Sequence, residues 1–133
     1  MTTWEILHLI ARVLLSAMFI RSGVRHLTNS KPLAEYAKTV GHIPAPEAAV
    51  IVSGLMLLLG GLSILLGVHP RIGAALVFVF LVIAAFTMHA YWKIADPMQR
   101  AGQDAQFWKN LTMAGAALWI VANTGWPWPW TLG

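Results

Sequence analysis

Cysteine is absent from the chain, which removes disulfides, thiol redox relays and thiolate metal sites and leaves any redox role to a bound cofactor. Charge is scarce as well: 11% of the 133 residues are charged, and five acidic residues face nine basic ones. No glycine-rich phosphate loop, His-Glu-x-x-His zinc motif, Gly-x-Ser-x-Gly nucleophile elbow or dinucleotide fingerprint occurs. No two glycines stand four apart, so no particular helix-dimer face is specified. The opening Met1-Thr2-Thr3-Trp4-Glu5 lacks a basic n-region and no small-residue cleavage site follows, so the first apolar stretch is expected to be retained.

What the chain has in abundance is apolar length. Hydrophobic residues make up 58% of it, far above a soluble domain. Four stretches carry most of them, at residues 4–22, 48–66, 72–90 and 108–124. Each extends to about 20 residues, enough at ~1.5 Å per residue to cross a hydrocarbon core ~30 Å thick. The expected fold is an all-α membrane protein over residues 1–133, an antiparallel four-transmembrane-helix bundle. Val68-His69-Pro70-Arg71 is a short turn joining the second and third spans as a hairpin. Glycines 54, 60, 61 and 67, with Met113-Ala114-Gly115-Ala116-Ala117, permit close helix contact.

The excess of positive charge is better explained by topology than by nucleic acid, because the Lys and Arg residues are scattered rather than gathered in a stripe. Arg21, Arg25, Lys31 and Lys38 belong to one long connection, and Lys93, Arg100 and Lys109 to another on the same side; the opposite side has only Arg71. The positive-inside rule therefore makes loops 23–47 and 91–108 cytoplasmic and puts both termini outside. Trp4, Trp126, Trp128 and Trp130 would mark the outer interface, and Tyr36, Tyr91, Trp92 and Trp108 the inner one. Trp126-Pro127-Trp128-Pro129-Trp130 cannot continue a helix and reads as an extended interfacial anchor.

The first loop holds a short amphipathic helix, since Leu33, Tyr36, Ala37 and Val40 share one helical face between Pro32 and Gly41. It is expected to lie on the inner membrane surface. Asp96 to Gln106, by contrast, reads as a polar, irregular loop opened by the turn-like Asp96-Pro97.

Two groups of residues are candidates for chemistry. Arg12 sits almost midway along the first span, where a cation costs roughly 2.5–3.5 kcal/mol and is kept only with a partner. It shares a helical face with Glu5, His8, Ser16, Phe19 and Gly23. No other span has an acidic residue at mid-depth, so the guanidinium either clamps helix carbonyls or contacts a ligand. The second group gathers where helix ends converge: Arg21, Arg25 and His26, then Glu47, then His89, then Lys109 and Asn110. Such a set can bind a polar headgroup, with His89 and Glu47 as a candidate proton relay. The competing reading is that these cations only set topology and that Glu47 favours a helix N-terminus. The dispersed histidines define no metal or haem site.

With these residues in place, the chain resembles the DoxX family of small four-span bacterial membrane proteins. The resemblance rests on Arg12-Val13-Leu14-Leu15-Ser16-Ala17-Met18-Phe19-Ile20, Ser22-Gly23-Val24-Arg25-His26-Leu27, Glu47 before a glycine-rich span, Phe86-Thr87-Met88-His89 and Phe107-Trp108-Lys109-Asn110-Leu111. The family pattern has Lys after the Gly23 position, where this chain has Arg25 and His26. The likeness implies a bundle in the bacterial inner membrane. Some relatives are subunits of thiosulfate:quinone oxidoreductase, and others are linked to oxidative-stress complexes. By resemblance, Arg12, Glu47, His89, Lys109 and Asn110 would bind a cofactor, the quinone.

The function expected is thus a subunit that binds a quinone or other lipid-soluble ligand within a membrane oxidoreductase system. Its electrons come from elsewhere, because the sequence has no redox motif of its own. The expected partners are the lipid bilayer, a redox protein and a further copy of the chain. The alternative is a non-catalytic adaptor that docks a cytoplasmic protein through the 33–40 helix and the 96–106 loop.

Overall fold

The computed structural model describes residues 1–133. It contains no strand. Its helices are α1 (Thr3–Thr28), α2 (Ser30–Gly41), α3 (Pro46–Leu66), α4 (Pro70–Met88) and α5 (Pro97–Ala122), with a 3-10 turn at Tyr91–Lys93. Three of them, α1, α3 and α4, are long and apolar enough to cross a membrane. Their outward faces carry large apolar side chains, among them Leu7, Leu14, Val52, Leu59, Ile72 and Ile83. A surface of this kind suits hydrocarbon and not water, so the protein is an integral membrane protein.

Local chemistry sets the helix boundaries. Thr2 and Glu5 form a reciprocal capping box at the start of α1: Glu5 N–H donates to Thr2 Oγ1 (3.2 Å) and Thr2 N–H to Glu5 Oε2 (2.7 Å). Proline occupies the first turn of α3, α4 and α5. Gly67 ends α3 with φ +70°, a conformation that costs a residue with a Cβ.

The long helices alternate in direction. Gly23 meets Leu58, Ile20 meets Gly61 and Arg12 meets Ile64, so α1 and α3 run antiparallel. A Cβ on Gly23 would lie 2.6 Å from the Leu58 nitrogen, which shows how closely the two backbones approach. Packing proceeds from α1 to α3, α3 to α4 and α4 to α5, with Phe86 edge-on to Phe107 in the last pair. Phe19, Leu57, Ile64, Val77, Leu81, Ala114 and Ala117 form the core between them. The outermost helices of this row, α1 and α5, are not packed along their lengths.

One expectation changes. Residues 97–106 are not an irregular loop but the first turns of α5, which begins well before residue 108. Asp96-Pro97 is a helix start, with the Asp96 carboxylate accepting from Gln99 N–H (2.9 Å) and proline at the first position. The residues that follow are polar, yet mostly good helix formers. The apolar part of α5 is confined to Leu111–Ala122.

In α2, Ala34 and Ala37 are buried, with Leu33 partly so, whereas Tyr36 and Val40 face outward. The small side chains let α2 close onto Val50 of α3; larger ones would hold it off. The tryptophan-proline tail, extended and not helical, folds back onto the bundle. Leu132 N–H donates to Leu66 O (3.1 Å), and Trp128 packs on the core.

Candidate functional site

The inward stripe of α1 consists of Arg12, Ser16, Phe19 and Gly23, all buried. Arg12 is 3% exposed, and all its hydrogen-bond partners are backbone carbonyls. Nε–H donates to Ile64 O (3.2 Å), Nη2–H to Leu65 O and Nη1–H to Pro129 O. The Trp128 ring lies 5.5 Å from the guanidinium carbon.

The reason lies at the end of α3. The last four carbonyls of a helix have no partner in it, and they carry the negative end of the helix dipole. Here each finds one: Ser63 O accepts from Gly67 and Val68 N–H, Ile64 O and Leu65 O from Arg12, and Leu66 O from Leu132 N–H. Arg12 thus needs no carboxylate, because a helix terminus supplies partial negative charge. Arg71 repeats the arrangement on α5, where its Nε–H donates to Val121 O (2.9 Å).

Beside Arg12 a groove of about 270 Å³ opens between α1 and α5. Ala11 and Leu15 form one wall, Ala116, Trp119 and Ile120 the other, Ile64 the floor, and Trp126 and Trp128 close it at the tail. Arg12 and His8 are its polar members. The His8 ring lies between Trp4 (5.4 Å, tilted) and Trp128 (4.9 Å, edge-on), and its Nδ1 is enclosed without a hydrogen-bond partner. Trp126 and Trp128 also border a more polar pocket of about 580 Å³ that holds Arg71, His69, Asn123 and Thr124.

No hydrogen bond or ion pair joins the residues expected to converge at the loop end to one another. Glu47 is outward-facing in the first turn of α3, and Lys109 is outward-facing, donating only to its neighbour Gln106. Half-buried His89 follows α4, where its Nδ1–H donates to Gln103 Oε1 (2.7 Å). His26 is bonded to Ser53 Oγ (2.9 Å). Arg21 and Arg25 face outward. Asn110 is buried on the inner stripe of α5 with Phe107 and Ala114. Because α5 starts at Pro97, Asn110 lies ~20 Å along it rather than at its beginning. Arg12, bonded to the far end of α3, is separated from all of them.

The contact between Arg12 and the tail leaves no local signal in the sequence, because Pro129 stands 117 residues away. His8 was within reach, one helical turn from Arg12 on the same face. Compared with known families, the chain matches the DoxX model over residues 7–90. That stretch contains Arg12, Glu47 and His89 and ends before α5 and the tail. No curated protein and no solved structure matches it.

Proposed function

The chain belongs to the DoxX family, and on that premise we propose that it binds a quinone in the groove between α1 and α5, as the membrane subunit of an oxidoreductase system. One observation carries this reading: an apolar groove of about 270 Å³ on the open edge of the helix row, with a buried guanidinium at its end. Ligand sites of this size are largely apolar, with few polar groups to orient the head. A guanidinium has five N–H groups. Three are engaged by Ile64, Leu65 and Pro129, which leaves two for a ligand oxygen.

In this reading Arg12 orients the quinone head, while the Ala11, Leu15 and Ala116 walls hold its apolar body and shut out water. Electrons arrive from a partner protein. The relay expected of His89 and Glu47 has no place in it, since both lie at the opposite end of the helices. The proposal includes four bilayer crossings in the inner membrane, with α5 as the fourth through Leu111–Ala122, both termini outside and α2 at the inner interface.

The test is titration of the purified protein with decyl-ubiquinone, comparing the native chain with Ala116→Trp. That substitution fills the groove and leaves every Arg12 hydrogen bond in place. Binding by the native chain and a loss of at least ten-fold in the variant are expected. No binding by the native chain, or equal binding by both, overturns the proposal.

An adaptor role has one observation in its favour: Met98 is 85% exposed within the polar first turns of α5. Its test is recovery of a partner from native membranes by the native chain and not by Met98→Gln.

A further inference from the structure

The larger cavity, of about 580 Å³, lies where the turn between α3 and α4 meets the end of α5 and the tail, and the quinone reading makes no use of it. Arg71 lines it together with His69, Asn123 and Thr124. The Arg71 Nε–H donates to Val121 O, which ties the guanidinium to the end of α5 and leaves both Nη groups without a partner in the chain. The side chains of His69, Asn123 and Thr124 enter no hydrogen bond either. α4 begins here at Pro70 with no side-chain cap; the Ile72 and Gly73 N–H groups donate to His69 O, while the Arg71 N–H is unpaired. The positive end of the α4 dipole therefore borders the same cavity. Gly67 closes it on the α3 side, and a Cβ there would lie 3.3 Å from Arg12 Nη2, so a second guanidinium stands just behind the wall.

No carboxylate side chain answers this positive charge. None of the lining residues is acidic, and of the five acids in the chain only Glu5 belongs to this end, where it caps α1. We propose that the cavity is a phosphate-binding site, in which Arg71 takes the phosphate oxygens and His69, Asn123 and Thr124 supply further polar contacts. The planar fork of a guanidinium matches a phosphate bidentately, and its charge strengthens each hydrogen bond. The place of the cavity favours a phospholipid as the bearer of that phosphate. Trp126 and Trp128 line it, and tryptophan gathers at headgroup level. Ile72, next to Arg71 and 63% exposed, starts the lipid-facing run of α4, so a phosphate held on Arg71 has its acyl chains beside hydrocarbon-facing side chains. A soluble phosphate offers the same chemistry, and the experiment separates the two sources. The site stands apart from the quinone reading and does not depend on it.

The experiment is isothermal titration of the purified protein at low salt, where an exposed cation is least screened. The ligands are dihexanoyl-phosphatidylglycerol, dihexanoylglycerol, which lacks the phosphate, and inorganic phosphate. The proteins are the native chain, Arg71→Gln and the double variant Asn123→Leu with Thr124→Val, which disturbs no side-chain hydrogen bond within the chain. The native chain is expected to bind the phosphatidylglycerol about ten-fold or more tightly than dihexanoylglycerol, and Arg71→Gln to erase that difference. The double variant should weaken phosphatidylglycerol binding by about three-fold or more. Binding of inorganic phosphate that Arg71→Gln abolishes also supports the site and makes the phosphate alone sufficient; no binding of it, with the lipid preference present, makes the lipid the ligand. The proposal is overturned if the native chain binds no inorganic phosphate and holds the phosphatidylglycerol no better than dihexanoylglycerol. It is overturned equally if Arg71→Gln binds as the native chain does. Should Arg71→Gln fail to fold for want of its bond to Val121 O, the double variant decides, and native affinity there rejects the site. Each of these results leaves quinone binding standing, because decyl-ubiquinone is titrated separately.

Discussion

At the scale of single residues, Arg12 shows how a cation can be held inside a membrane protein without an acid. Its three carbonyl partners belong to the α3 terminus and to the tail. Replacing Arg12 by Ala strands the Ile64 and Leu65 carbonyls, and a buried group left unpaired costs about 1–3 kcal/mol. Arg12→Ala is accordingly expected to lower the melting temperature in detergent clearly, and Arg12→Lys, which keeps the charge with fewer donors, to lower it less. Gly67→Ala tests the same terminus from the other side. At φ +70° the new Cβ costs ~1–2 kcal/mol, and it would lie 2.7 Å from Thr131 Cγ2 and 3.3 Å from Arg12 Nη2. Thermal unfolding of this variant should show a loss at least as large as strain alone requires.

The helices show where pattern suffices and where it misleads. The buried stripe of α1 was legible, because Arg12, Ser16, Phe19 and Gly23 recur at helical spacing and each is buried. The face of α2 that meets α3 is set by size and not by hydrophobicity alone: Ala34 and Ala37 are buried against Val50, while the larger Tyr36 and Val40 face outward. In α5 the polar composition of residues 97–106 hid a helix, although Asp96-Pro97 carries its start signal. Asp96→Ala removes that cap and should destabilise the first turn of α5 by ~1 kcal/mol. Amide hydrogen exchange around Gln99 should quicken while exchange in Leu111–Ala122 stays unchanged.

For the molecule as a whole, the row of antiparallel helices decides which groups can meet. Reporter tags after Glu47 and after Tyr91 should appear on one side of the membrane and a tag at the C-terminus on the other; any other pattern removes the proposed four crossings. Deleting residues 124–133 should uncover Leu66 O and free the Nη1 of Arg12, with a lower melting temperature and weaker decyl-ubiquinone binding as the expected readings. By itself the amino-acid sequence determined that the chain is helical, apolar and membrane-embedded, and that Arg12 faces inward, because these follow from composition and from a 3.6-residue period that neighbours along the chain already express. Only the tertiary structure decided that Arg12 closes the end of α3, that the tail folds over it, and that His8 shares a groove with it while His89 and Glu47 do not. Carbonyls are common to every residue and leave no mark in a sequence, so which of them a side chain meets depends on how distant helices are packed.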